Sequence, residues 1–249
     1  GVGAHAACAL AALRTLDLPQ AARFYGPRGV APVAALLRRI KQDTCSVVWG
    51  FLLHPSLFWV LGGGQAAIRG VAWVGAAGGA GVAFLSGAAA FWSALAAYVA
   101  FVSLIHCDAS AINYPWWCLY AESAFLALWM PFAGGDAAVP AWPVRWAFTW
   151  LLFRLMKGFG NLKFAEGWRK HWYYLRSFFL IHPSPNPLAF LAFKYTPAFV
   201  FPVALAGLYF AEVIAPFFFF CPAPFPWIGA VVTIGLMASI QATGNFGHF

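Results

Sequence analysis

Three ionisable side chains stand inside apolar runs of this sequence. Glu122 lies in WWCLYAESAFLALW, Arg154 in WLLFRLM and Glu212 in AEVIAPFFFF. A charge placed in hydrocarbon costs several kcal/mol unless it is paired, so each needs a partner. Two kinds of chemistry fit such residues. One is a relay for protons or a polar substrate site. The other is a buried ion pair, Arg154 with Glu122 or Glu212, that fixes how membrane helices register. The structural reading is preferred.

Other reactive types are present without a constellation to use them. His54, His106, His171, His182 and His248 are imidazoles that could ligate haem or chlorophyll, but no two lie on one helix at i, i+4 spacing. Interfacial capping is the preferred reading for each, with a bound pigment left open. Ser123 and Ser184 have no His–Asp arrangement nearby, so nucleophilic catalysis has no support. GFGN and GNFG lack the strand–helix context of a phosphate loop. The five cysteines are scattered without a CxxC pair, which predicts small buried hydrophobes and no zinc or redox motif. The sequence therefore predicts a protein that is not an enzyme and has no cofactor beyond bound lipid.

The elements that must position these residues follow from composition. Hydrophobic residues make up 63% of the 249 positions and charged ones 9%, with 26 Phe and 13 Trp. That much apolar surface cannot be hidden from water, so the chain is an integral membrane protein. Six spans are predicted, at 71–90, 91–107, 116–132, 142–159, 198–220 and 227–244. A seventh arises if AHAACALAAL (4–13) is the remnant of a first span and not the core of a signal peptide. The first span carries Gly75 and Gly79 at the spacing that lets helices approach closely. Short linkers join the spans, so one transmembrane domain over 1–249 is expected, all-α and polytopic.

Two stretches interrupt the apolar pattern. Within 20–64, RGVAPVAALLRRIKQ places Val33, Leu36, Leu37 and Ile40 at helical spacing beside Arg38, Arg39 and Lys41, the pattern of an interfacial amphipathic helix. The following VVWGFLLHPSLFWVLGGG is broken by His54-Pro55 and reads as half-buried or re-entrant. Residues 160–196 form a basic aromatic loop along one face, with Arg169, Lys170 and Arg176 among the rings and a proline knot, PSPNPL, near its end. These basic residues suit anionic lipid headgroups better than nucleic acid.

Several blocks now fall in one order: FYGPRGVAPVAALL, HPSLFWV, WWCLYAESAFLALW, WLLFRLMKGFGNLKF, PSPNPLAF, AEVIAPFFFF and TGNFGHF. Together they resemble the membrane core of the lipase maturation factor family, polytopic proteins of the endoplasmic reticulum that help secreted lipases fold and dimerise. The resemblance covers nearly the whole chain and is strongest from residue 148 onward. It implies that the proline knot follows a polar loop between two membrane helices and pins its end. It also implies a luminal C-terminal side, whereas the basic stretches place that face inside by the positive-inside rule.

The chain departs from the family pattern in places. Trp116-Trp117 stands where the family carries Trp-Asp, and FFLIH (178–182) stands where it carries a polar run. The family continues past the block matching GNFGHF into a large luminal region, whereas this sequence ends at Phe249. The apolar exchanges predict a contact surface for another chain or ordered lipid, built from Trp117, Phe178, Phe179, Leu180, Ile181, Pro183, Pro185, Asn186 and Pro187. Two functions follow. In the first, the chain assists folding or assembly of clients in the endoplasmic reticulum. In the second, it is a permanent accessory subunit of a large hetero-oligomeric complex, in a thylakoid, mitochondrial inner or other organellar membrane.

Overall fold

Small residues at helical spacing decide how the first two long apolar helices meet. In the computed structural model, which describes residues 18–106, 115–130, 142–165, 172–181 and 186–244, these helices are α5 (Gln65–Phe84) and α6 (Gly87–Ile105). Before them come α1 (Leu18–Tyr25), α2 (Val33–Thr44), α3 (Val47–Leu53) and α4 (Phe58–Leu61). After them come α7 (Pro115–Ala127), α8 (Trp142–Ala165), α9 (Tyr174–Ile181), α10 (Pro187–Tyr195), α11 (Val200–Tyr209) and α12 (Phe225–Thr243). No strand occurs among the described residues. The chain divides into two compact units, 1–147 and 148–249.

In the first unit, α5 buries Ile68, Val71, Ala72, Gly75, Gly78, Gly79 and Val82, one face recurring every three or four residues. The opposing helix α6 presents Ala90, Ala94, Ala97 and Ala100. Lipid supplies no hydrophobic drive between helices, so close backbone approach has to provide the packing. It is tightest at Gly78, where a Cβ would lie 2.6 Å from the Ser93 carbonyl oxygen and 2.8 Å from the Ala97 nitrogen. The turn between the helices uses Gly87 at φ +59°, a conformation that costs glycine little. The break therefore falls at 85–86, not at the 90/91 boundary predicted from sequence.

The amphipathic helix α2 turns its apolar face inward. Its stripe of Val33, Leu37 and Ile40 is buried, and Val33 and Leu37 share a core with Ala22, Phe58, Ile68, Val71 and Ala100. The apolar face is spent on the protein's own helices, which leaves Arg38, Arg39 and Lys41 outermost. By contrast, α3 exposes Val48, Trp49, Leu52 and Leu53, each at 60% or more. That greasy helix, and not α2, has an apolar surface to offer to lipid.

Among the described residues, four helices combine the length and apolarity needed to cross a bilayer: Gln65–Phe84, Gly87–Ile105, Val200–Phe220 and Phe225–Thr243. Within the predicted span 116–132 the described helix is α7, Pro115–Ala127. The predicted span 142–159 continues as one 24-residue helix to Ala165. Residues 160–165 thus belong to α8 and not to a loop, and much of the remaining stretch is helical as α9 and α10. Arg169, Lys170, Pro183 and Pro185 lie outside the described residues.

In the second unit, α9 lies on α11 through Leu175, packed with Phe201 and Leu205. The knot resolves into a helix start. Asn186 caps α10, its side-chain oxygen accepting from the Ala189 N–H at 2.9 Å, and Pro187 takes the first helical position, where a missing N–H is harmless. The Asn186 amide also donates to the Ala242 carbonyl at 2.9 Å, fastening the start of α10 to the end of α12.

Candidate functional site

A proline inside a membrane helix sets the geometry of the site. Pro216 has no N–H for the carbonyl four residues back, and its ring crowds that carbonyl, which belongs to Glu212. The helix begun by α11 accommodates this by widening into a π turn at Phe210–Ile214 and tightening to a 3-10 turn at Ala215–Phe220. Such π turns recur at functional sites. Here the irregularity holds Glu212, 3% exposed.

Helix α8 runs antiparallel along this segment, as its ring contacts show. Phe153 meets Phe217 and Phe220 edge-on at 5.1 and 5.3 Å between ring centres, and Phe164 meets Tyr209 at 5.5 Å. Between these contacts the backbones close in at Gly160. A Cβ there would lie 3.0 Å from Glu212 Cβ and 2.8 Å from Val213 Cγ2. One turn further, Lys163 extends its Nζ to Glu212 Oε1 in an ion pair. The side chains are 22% and 4% exposed respectively, so the carboxylate is the deeper member. Lys163 also stands over the Phe159 ring at 5.9 Å, where the ring face attracts a cation.

The pair is incompletely satisfied. Glu212 Oε2, the Tyr209 hydroxyl three residues earlier and the Thr233 hydroxyl on α12 are buried without hydrogen-bond partners. The arrangement therefore neutralises one buried charge with another and leaves an open carboxylate oxygen in the core. Chemically this suits a lock between α8 and the irregular helix. Ser123, the other hydroxyl considered, donates to its own helix at Leu119 O, 2.7 Å away.

Sequence reading paired Arg154 with Glu122 or Glu212; the structure gives Glu212 an ion pair with Lys163. Glu122 occupies an exposed position on α7 in the first unit, and Arg154 an exposed position on α8 in the second. The residues that reading missed are Lys163, Gly160 and Tyr209. The signal was the i, i+3 spacing of Gly160 and Lys163 on one helical face, beyond the predicted end of the span at residue 159.

The remaining predicted residues separate into packed and exposed groups. Trp117 is half-buried against Phe101, ring centres 6.0 Å apart. Phe179 is half-buried against Phe201 at 6.2 Å, and Phe178 stacks on Tyr174 at 6.0 Å. Leu180 and Ile181 are exposed at 48% and 71%. Arg176 lies over the Phe193 ring at 5.3 Å, joining α9 to α10. Arg38 donates from Nε to the Ala34 carbonyl at 3.1 Å, and Arg39 faces Asp43 at 3.9 Å in an exposed pair worth little. Cys45, Cys118 and Cys221, expected to be buried, are exposed. Among the described residues no three His, Cys, Asp or Glu side chains gather as metal ligands.

Comparison with known proteins places these features in a family. The family model described as the lipase maturation factor transmembrane domain matches residues 6–249. Lipase maturation factor 1 of Bos taurus is 26% identical over 210 residues, which cover 80% of this chain and 37% of the bovine protein. The chain thus spans little more than a third of the length of that relative. No solved structure matches.

Proposed function

The chain belongs to the lipase maturation factor family, and from that membership we propose that it is a non-enzymatic membrane domain assisting client lipases to fold or assemble. The observation that carries this reading is the match of the family's transmembrane model across residues 6–249. The endoplasmic reticulum, where secreted lipases fold, is the membrane that goes with the role. The Lys163–Glu212 lock and the Asn186 staple serve it as frame, holding the helices of the second unit in one arrangement. The outward Arg38, Arg39 and Lys41 suit anionic headgroups.

The test is restoration of lipase maturation. The chain is expressed in cells lacking their own maturation factor together with a secreted lipase, and lipase activity per secreted antigen is measured. A rise above the empty-vector level is expected. Secretion of inactive lipase at the empty-vector level would overturn the proposal.

One observation favours a second reading, a permanent subunit of a membrane complex. Only 11% of the α12 span is buried within the chain, and Trp227, Val231 and Ile234 are exposed at 73%, 70% and 68%. A span so little covered by its own protein has its surface free for another membrane chain. Native mass measurement after mild extraction separates the readings. A stoichiometric larger assembly supports the subunit, and a free chain that captures lipase transiently supports the helper.

A further inference from the structure

The irregular membrane helix carries a polar demand that its ion pair does not meet. Ala215 donates its N–H five residues back, to the Phe210 carbonyl. In the 3-10 turn that follows, Phe217 reaches three back, to Ile214. Pro216, between them, has no N–H. The Glu212 carbonyl is thus left without a helical donor. Glu212 Oε2, the Tyr209 hydroxyl and the Thr233 hydroxyl are buried without partners as well, so none of the three is close enough to bond another.

These side chains come to one place from two helices. Tyr209 precedes Glu212 by three residues and shares its helical face, and its hydroxyl lies within reach of the carboxylate's charge. Thr233 arrives from α12, which buries Gly229 and Thr233 on one face. A Cβ on Gly229 would lie 3.2 Å from the Ala215 carbonyl oxygen. The short linker 221–224 makes α12 antiparallel to the span before it, so one turn past Gly229 brings Thr233 level with Ala211 and Glu212. Space at the break is small, because α8 closes in at Gly160 and α12 at Gly229.

We infer that a single bound water sits at this break, donating to Glu212 Oε2 and accepting from the Tyr209 and Thr233 hydroxyls. Water supplies donors and acceptors together, and a buried water typically joins about 3 such groups. In membrane helices interrupted by proline, ordered water is one of the means by which freed polar groups are satisfied. An alkali cation fits less well. Lys163 already cancels the carboxylate charge, so an added cation would leave a buried positive charge uncompensated. A lipid hydroxyl brings its whole lipid body, for which the close approaches at Gly160 and Gly229 leave no width. The water ties α12 to the Lys163–Glu212 lock, so that three helices and not two are held at the break.

This inference is independent of the maturation role. The full chain, labelled with ¹³C-glutamate and ¹³C-leucine, is reconstituted in phosphatidylcholine vesicles. Solid-state NMR then measures magnetisation transfer from water protons to Glu212 Cδ. Rapid transfer is expected, against slow transfer to the fully buried Leu205. Thr233→Val removes one anchor at nearly constant size and should abolish the rapid phase, whereas Thr233→Ser keeps the hydroxyl and should retain it. Lys163 is intact in both variants, so relay through its ammonium cannot produce that difference. If Thr233→Val loses its helical circular dichroism, Tyr209→Phe must show the same loss of transfer. Slow transfer to Glu212 in the unaltered chain, or equal transfer in the Val and Ser variants, would overturn the inference. A shift of the Glu212 Cδ resonance when Na⁺ is replaced by N-methylglucamine would also overturn it, because an alkali ion would then occupy the break.

Discussion

Removing Lys163 should cost the second unit more than removing the glutamate it neutralises. The Glu212 side chain is 4% exposed, against 22% for Lys163, and its Oε2 already lacks a protein donor. In Lys163→Leu neither oxygen of the buried carboxylate keeps a protein partner, a stranded charge worth about 3–5 kcal/mol. In Glu212→Leu the ammonium, nearer the surface on a flexible stem, can turn outward, and the loss should be about 1–3 kcal/mol. The double change Lys163→Leu with Glu212→Leu leaves no charge behind. It should therefore cost less than Lys163→Leu alone, with a coupling of about 2 kcal/mol or more. The four proteins are unfolded from mild-detergent micelles by adding a denaturing detergent, and tryptophan fluorescence reports the fraction folded. Strictly additive losses, or a glutamate change costlier than the lysine change, would refute the reasoning.

Four further outcomes are expected. Gly160→Leu should destabilise the same unit by about 1–3 kcal/mol, because its Cβ would press on Glu212 and Val213. Gly158→Ala, where a Cβ meets nothing within 4 Å, should be neutral or slightly stabilising in the same unfolding assay. Phe179→Ser should lower stability by about 2–4 kcal/mol through lost packing on Phe201, whereas Ile181→Ser should stay within about 0.5 kcal/mol. A stability loss on Ile181→Ser equal to that of Phe179→Ser would mean the exposed residue is part of the core. Changing Arg38, Arg39 and Lys41 together to Gln should reduce co-purified anionic lipid, each charge contributing about 1 kcal/mol, without shifting the unfolding midpoint. Unchanged lipid retention by mass spectrometry would count against a headgroup role.

Periodicity and composition were enough to determine the membrane class and the all-helical character, and the order of the sequence blocks carried the resemblance to the family. Those properties depend on sums and spacings along the chain, such as the greasy runs around residues 200–243 or the Ile68–Val82 stripe that repeats every three or four residues. Partner identity is a different kind of quantity. That Glu212 needed a cation followed from its burial in an apolar run, but the choice between Arg154 and Lys163 depended on where α8 ends and how it runs beside α11. The predicted span ended at residue 159, whereas α8 continues to Ala165 with Gly160 packed against the π turn, and that continuation brings Lys163 to Glu212. Val33, Leu37 and Ile40 predicted an apolar face correctly, while only packing decided that the face meets Phe58 and Ile68 and not lipid. His54 and His106 show the limit most plainly. Each looked like an isolated interfacial residue, because local spacing carries no record of contacts made between the ends of distant helices. The fold brought them ring to ring, centres 5.8 Å apart, through Ser56 and Ser103, two hydroxyls that no motif marks.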